Sequence, residues 1–445
     1  MSYANKSIAV LGAGESGEAA AQLLVEENAM ITVLDTAEVE KLRRKIDALG
    51  ARGIRVIAGL AAERAAETEH FDLAVLSPGI DPAVPLVQHF LKRRIAMIGE
   101  LELAYEMCKC PIIGITGTNG KTTTTQLVES MLNACGVKTI AAGNIGPAFS
   151  ARVRQSPELD VMTLEISSFQ LETITRFRPN IAVWLGFAHD HLDRYESMEE
   201  YYAAKIRIFE NQTTDDWAVV NFRDKLPELR ARKLTFSAFV NDGDFALVEG
   251  VIHFRGAPVL KMADTKLRGA HNAENLMAAL GVGFARGLAF DAMRAPLCEY
   301  RPLPHRCETV RVLDGVEWVN DSKGTNPDSV EKALFGETRP VVLIAGGKDK
   351  GFEYAMLTEL VAQKCRAAVT MGEMADRIEA LWRERLPVDN AGRSIERAVQ
   401  LARDAASPGD VVLFSPGTSS FDMFKNYADR GNQFRDLVQA LQPNL

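Results

Sequence analysis

No apolar run in this chain approaches the roughly 20 residues that a membrane-crossing helix needs. A secretory signal is missing too, because Ile8-Ala9-Val10-Leu11 is too short for an apolar core and glycines follow at once. The expectation is a cytoplasmic protein without membrane insertion. There is no basic surplus: the net charge is -8, which argues against a general nucleic-acid binder and suits a soluble one. The six cysteines are scattered, and Cys108 and Cys110 find no second pair at zinc-ligand spacing. Reduced, buried thiols are therefore expected rather than a disulfide framework or a zinc site. Low-complexity tracts and short internal repeats are lacking as well. What is present is ordinary globular composition, 47% hydrophobic and 25% charged. At 445 residues the length suits about three domains, each with its own core.

Short apolar runs alternate with longer helical patterns, which predicts parallel sheets in α/β domains. In the first third the strand candidates are Ser7–Leu11, Met30–Leu34, Arg55–Ile57 and Leu73–Leu76. A breaker-rich patch, Ser77-Pro78-Gly79-Ile80-Asp81-Pro82, follows, and Gly99–Cys110 reads as a connecting helix, so a boundary falls near residue 100. The central third offers Pro111–Ile115, Val161–Leu164, Ile181–Leu185 and Ala218–Val220, then less regular sequence from 235 to 262. Arg301-Pro302-Leu303-Pro304 is a second hinge candidate, since two prolines bar helix and sheet alike. Beyond it come Trp318–Asn320, Val341–Ala345, Ala367–Met371 and Val411–Phe414, each except the first followed by helical sequence.

The chemistry concentrates in a few loops. Gly114-Ile115-Thr116-Gly117-Thr118-Asn119-Gly120-Lys121-Thr122-Thr123 runs from a strand through a glycine-bearing turn into a helix. Small residues there let backbone N–H groups reach phosphate oxygens, and the helix N-terminus adds positive potential. Lys121 is placed for the β/γ-phosphates and Thr122 for Mg²⁺. Ile115 stands where the strict phosphate-loop spacing wants glycine, so this is a variant loop. Gly12-Ala13-Gly14-Glu15-Ser16-Gly17, with Asp35 ending the next strand, meets the local conditions of a dinucleotide fingerprint. The physics supports a diphosphate cradle with a carboxylate near a sugar hydroxyl, and both NAD and a nucleotide-sugar diphosphate fit it. Glu165 ends a strand of the phosphate-loop domain, where acids hold Mg²⁺ or cap helices. His189-Asp190-His191-Leu192-Asp193-Arg194 opens like a zinc hydrolase signature but continues with Arg194 and Tyr195, and seven histidines in all leave a dinuclear site short of ligands. Lys205 sits on a helical stretch, where a snorkelling surface lysine is the plain reading. His271-Asn272-x-x-Asn275 suits adenine or ribose, and Arg306 follows the second hinge within reach of a phosphate. Polar loops at Asn320–Asn326, Gly346–Lys350 and Ser415–Phe421 end successive strands, where an α/β domain places its ligand.

Taken in order, GTNGKTT, ExSSFQ, HxDR, the lysine, HN, PHR and the strand-end Asp loop resemble the Mur ligases. These are the ATP-dependent amide-forming enzymes that build the peptidoglycan stem peptide. Asn320-Asp321-Ser322-Lys323-x-Thr325-Asn326 and Ser420-Phe421-Asp422-x-Phe424-Lys425-Asn426-Tyr427-x-x-Arg430-Gly431 are similar to the branch that adds D-glutamate. The resemblance implies three domains: a Rossmann-like UDP-sugar domain (1–100), a central phosphate-loop ATPase (101–302) and a Rossmann-like C-terminal domain (303–445) that closes on the substrates. It implies a monomer working in the cytoplasm, joining D-glutamate to UDP-N-acetylmuramoyl-L-alanine through an acyl phosphate. ATP would be served by Gly117, Thr118, Asn119, Gly120, Lys121, Thr122 and Thr123, with Asn275, Arg306 and Asp321 on the nucleotide. Two Mg²⁺ sites would draw on Thr122, Glu165, His191 and Lys205, the last carbamylated by CO₂. Ser16, Asp35, Thr36, Ser77 and Gly79 would bind the uridine substrate, helped by Asn144 and His191; Thr325, Lys350, Ser420, Phe421 and Tyr427 would surround D-glutamate, and Lys323 would also contact a substrate. Glu15 and Tyr427 depart from the family's usual apolar residue and phenylalanine. Three rivals are an NAD oxidoreductase, a folate-chain glutamate ligase and a regulatory nucleotide-binding module.

Overall fold

A computed structural model describes residues 3–189, 194–301, 304–335 and 337–443. Three sheets form along the chain. The first holds β1 (Ser7–Leu11), β2 (Met30–Asp35), β3 (Arg55–Ala58), β4 (Leu73–Leu76) and β5 (Met97–Gly99), all parallel, in the order β3-β2-β1-β4-β5. The order reverses beside β1, so the crevice above the β1 and β4 carboxyl ends is where such a sheet accepts a ligand.

The central sheet contains β6 (Ile112–Thr116), β7 (Thr139–Gly143), β8 (Val161–Glu165), β9 (Ile181–Trp184), β10 (Trp217–Asn221), β11 (Arg232–Ser237), β12 (Phe245–Val248), β13 (Val251–Phe254) and β14 (Ala257–Lys261). Its order is β14-β13-β12-β11-β10-β9-β6-β8-β7, antiparallel only at β12–β13 and β13–β14. The stretch expected to be less regular is therefore a strand, two short hairpin strands and an edge strand. Glu249-Gly250 and Arg255-Gly256, all with positive φ, turn the hairpins. Helix Lys121–Ala134 carries four consecutive buried threonines, which have weak helix propensity. Packing overrides propensity here, because helix Ala270–Ala285, buried on most of its surface, lies against it.

The last sheet, β15 (Glu308–Leu313), β16 (Val316–Asn320), β17 (Val341–Ala345), β18 (Cys365–Thr370), β19 (Val388–Asn390) and β20 (Val411–Phe414), has the order β15-β16-β20-β17-β18-β19 and is antiparallel only at β15–β16. Contrary to the sequence expectation, β16 is followed by a helix, Pro327–Phe335, after its polar loop. The thiols also differ from expectation: all six are free, but only Cys365 is buried. No helix among the described residues is long and apolar enough to cross a membrane.

Candidate active site

The N-terminal cradle is pinned by backbone contacts. Gly12 adopts φ +95°, and a Cβ on Gly17 would lie 1.9 Å from the Gly12 carbonyl oxygen, so the helix Glu15–Glu26 meets its strand at a distance only glycine allows. Asp35 accepts the N–H groups of Ala13 at 2.7 Å and Ala37 at 2.9 Å. The Lys45 ammonium donates to the Ala13 carbonyl, and Ser77 Oγ reaches the Gly12 carbonyl at 3.4 Å. Asp35 thus shapes the turn, and its carboxylate has lone pairs left to accept further hydrogen bonds. Ser16 lies in the first turn of the helix, and Thr36 and Gly79 are exposed at the neighbouring strand ends.

In the central domain the phosphate loop leaves β6 through Gly117 (φ +149°) and Gly120 (φ +82°). A Cβ on Gly120 would approach Asn275 Oδ1 to 2.4 Å, so the loop and helix Ala270–Ala285 touch through a glycine. Asn275 Oδ1 accepts from Thr124 Oγ1 at 3.1 Å, and its Nδ2 donates to Asn272 Oδ1 at 3.1 Å. Thr118 is fastened to the far strand by its N–H to the Gly186 carbonyl (2.9 Å) and by the Ala188 N–H to its Oγ1 (3.0 Å). Lys121 Nζ curls over the loop, donating to the Gly117 and Thr118 carbonyls at 2.9 Å each. Thr122 and Thr123 are buried in the first helical turn.

Glu165 ends β8 with 2% exposure. One oxygen accepts from Asn144 Nδ2 at 2.8 Å; the other, Oε2, is buried without a hydrogen-bond partner. A helix cap is not its role, because Ser167 caps the next helix in a capping box with Gln170. A buried, half-satisfied carboxylate beside a phosphate loop fits a hard cation. Lys205 is 1% exposed, which overturns the surface-lysine reading. Its Nζ donates to the Gly117 carbonyl at 2.9 Å and lies 5.1 Å over the Tyr201 ring. His191 lies outside the described residues. Among the described residues no group of three His, Cys, Asp or Glu forms a metal cluster.

A cavity of ≈ 80 Å³ opens between the central and C-terminal domains. Asn119, Gly120, Thr123, His271, Asn272 and Asn275 line one side, and Arg306, Cys307, Asp321, Lys323, Ser329 and Lys332 the other. Sequence reasoning assigned Asn275, Arg306 and Asp321 to one nucleotide, and the fold brings them to one cavity. Arg306 projects from a strained turn in which His305 (φ +66°) and Cys307 (φ +45°) are left-handed. Its Nε is buried and unpartnered. Burial pushes the Asp321 carboxyl up to about 6, against hydrogen bonds from Ser415 Oγ (2.8 Å) and the Cys307 N–H (3.2 Å). Burial, then the nearby Arg306, lowers the Lys323 ammonium to about 8. Burial likewise holds His271 down at about 4, hence neutral. Lys323, assigned above to a substrate, lines the same cavity as Asn275, Arg306 and Asp321.

On the last sheet, Thr325 and Tyr427 are half-buried, Ser420 is buried and Phe421 is 67% exposed. Lys350 Nζ rests 4.9 Å over the Phe352 ring, and Lys323 Nζ 5.0 Å over Tyr427. Arg430, named in the sequence only as part of a run, is fully buried. It donates to Ser322 Oγ (3.0 Å) and to the carbonyls of Ser322 (2.8 Å) and Thr418 (3.0 Å), tying two of the polar loops together. Sequence reasoning missed Asp328, Ser329 and Lys332. Asn326-Pro327 signals a helix start directly after the polar loop, but nothing in the spacing says that this helix faces the phosphate loop. Arg194 was also unassigned. It stacks 4.6 Å over Phe169, pairs with Glu172 at 3.0 Å and reaches the Ile80 carbonyl at 3.3 Å, joining the N-terminal and central domains.

Family models cover the chain in three pieces: the Mur ligase MurD-like N-terminal domain at residues 6–99, the Mur ligase middle domain at 115–283, and the Mur ligase glutamate ligase domain at 305–417. A UDP-N-acetylmuramoylalanine--D-glutamate ligase of Syntrophotalea carbinolica is 41% identical over 451 residues, covering 99% of each chain. Among solved structures, UDP-N-acetylmuramate-alanine ligase MurC from Thermotoga maritima matches with TM-score 0.61 at 18% identity, over 98% of this chain and 100% of its own. MurF ligase from the same organism, in complex with ADP, matches with TM-score 0.60 at 16% identity, over 98% and 96%. With family models over residues 6–99, 115–283 and 305–417 and a relative 41% identical across 99% of its length, the chain belongs to the Mur ligase family.

Proposed function

We propose that this protein joins D-glutamate to UDP-N-acetylmuramoyl-L-alanine at the expense of ATP, in the cytoplasmic synthesis of peptidoglycan precursors. The observation that carries the reading is the cavity whose walls are the phosphate loop on one side and Arg306, Asp321 and Lys323 on the other. The family match of the N-terminal domain favours a uridine nucleotide over NAD in the first cradle. It also disfavours a folate-chain ligase, in which such a domain has no place.

The chemistry follows from charge. A carboxylate and a γ-phosphate repel each other, so a cationic environment must form before they meet. Lys121, freed from the Gly117 and Thr118 carbonyls, covers the transferring phosphate, while the loop N–H groups hold the others. Arg306 and Lys323 supply charge from the opposite wall, and Asp321 and Asn275 orient the nucleoside. Mg²⁺, held by Thr122 and the unpaired oxygen of Glu165, would screen the phosphate charge; His191 and a carbamylated Lys205 are proposed for a second ion. The L-alanyl carboxylate attacks the γ-phosphorus, and ADP leaves. The amine of D-glutamate then attacks the resulting acyl phosphate, and the tetrahedral intermediate expels phosphate. Lys350, Thr325 and Ser420, with the backbone at Phe421 and the Tyr427 ring, position the amino acid; Ser16, Asp35, Thr36, Ser77, Gly79 and Asn144 hold the uridine substrate. Because an acyl phosphate hydrolyses in water, closure of the C-terminal domain over the cavity precedes transfer.

The test is phosphate release from ATP with each substrate omitted in turn. Release that requires both UDP-N-acetylmuramoyl-L-alanine and D-glutamate is expected. Release indifferent to D-glutamate would overturn the reading, and no release with both present would favour a regulatory nucleotide-binding module.

A further inference from the structure

Asn119 belongs to the phosphate loop, yet its side chain faces residues about half the chain away. Its Nδ2 donates to Asp328 Oδ2, and its Oδ1 lies 3.1 Å from Ser329 Oγ. That hydroxyl also reaches Asn326 Oδ1 at 2.8 Å, so one proton is shared between two acceptors and the Asp328 contact is the firmer of the two. Asp328 and Ser329 form the first turn of helix Pro327–Phe335. Asn326 fixes that turn by accepting the Ser329 N–H at 2.9 Å, and Pro327 holds the entry. The clasp follows directly on the Asp321–Thr325 loop, so fastening Asn119 also places Asp321 and Lys323 against the phosphate loop.

A carboxylate beside a triphosphate site would repel the ligand unless its charge were met. Here Lys332, one helical turn on, pairs with Asp328 at 3.0 Å, and both side chains are largely shielded. The pair leaves Asp328 as an acceptor with little net field, suited to gripping the loop and unsuited to competing for its cations. Since its two sides belong to different domains, the bond exists only when those domains are docked.

We propose that Asp328, backed by Lys332 and Ser329, is a positioning residue that clasps the phosphate loop through Asn119 and couples docking of the C-terminal domain to catalysis. The inference rests on the ligase reading given above. Compare D328A, D328N, N119A and the D328A/N119A pair for ligation kinetics. In parallel, follow the radius of gyration by small-angle scattering with a non-hydrolysable ATP analogue and Mg²⁺. D328A should lower kcat by about tenfold, the worth of one charge-assisted hydrogen bond, and stay more expanded with the analogue bound, while its KM for the uridine substrate stays unchanged. D328N keeps an acceptor for Asn119 and should recover most of kcat. The double variant should be no worse than the poorer single one. Additive losses, or compaction of D328A equal to that of the unaltered protein, would overturn the proposal. If the unaltered protein fails to ligate at all, the activity reading falls, while the scattering comparison still decides the clasp.

Discussion

Lys121 shows how a side chain waits for its ligand. In the structure it satisfies two loop carbonyls, contacts that a triphosphate would replace with stronger, charge-assisted ones. Lys121→Ala should therefore abolish phosphoryl transfer, removing on the order of 3 kcal/mol or more of transition-state stabilisation, while binding of the uridine substrate survives. Measuring the two separately checks this, and near-normal turnover would contradict it. Lys205 makes a different demand, since an ordinary ammonium brings like charge to Mg²⁺. Its burial beside the Gly117 carbonyl separates it from a surface lysine, and the proposed carbamate would turn that like charge into a ligand for the ion. Lys205→Ala should be nearly inactive, and formate or acetate should restore part of the rate; full activity without rescue would refute the role. The cavity also sets a pH window. Asp321, raised to about 6, loses its charge as pH falls through that value, and Lys323, lowered to about 8, loses its charge as pH rises through that one. Each shift penalises the charged form, so neither stabilises the fold at neutral pH. KM for ATP should accordingly be lowest between the two values and rise on both sides, whereas a flat profile would separate these groups from the nucleotide.

Elements differ in how clearly the sequence announces them. Core strands such as β1, β4, β17 and β20 were readable to the residue, because strands buried on both faces form continuous apolar runs bounded by breakers. The strands β7, β12, β13, β14, β15 and β19 were not. They lie at sheet edges or in hairpins, where one face is solvated and pairing partners come from elsewhere in the chain. Glycine turns spoke plainly. Gly17 closes the glycine fingerprint read in the sequence, and a Cβ there would strike the Gly12 carbonyl oxygen. Gly17→Ala should therefore cost several-fold or more in uridine-nucleotide affinity, read by calorimetry, with ATP binding unchanged. Heat with UDP-sugar and none with NAD is expected of the unaltered cradle; tight NAD binding competed by UDP would overturn that assignment.

The molecule as a whole works by assembling sites from distant segments. The phosphate loop, the His271–Asn275 helix start, the turn at Arg306 and the Asp321 loop were each visible as motifs. Their convergence on one cavity was not, because spacing along the chain carries no information about how domains dock. The same blindness hid Asp328 and Lys332, ordinary charged residues in a helix until the phosphate loop is seen against them, and Arg430, whose buried guanidinium ties two loops from beneath. The most direct test of the account follows the substrate's own oxygen. With heavy oxygen in the L-alanyl carboxylate of the uridine substrate, turnover with ATP and D-glutamate should deliver one labelled oxygen into each phosphate released. Unlabelled phosphate, with product still formed, would contradict an acyl phosphate made in this cavity.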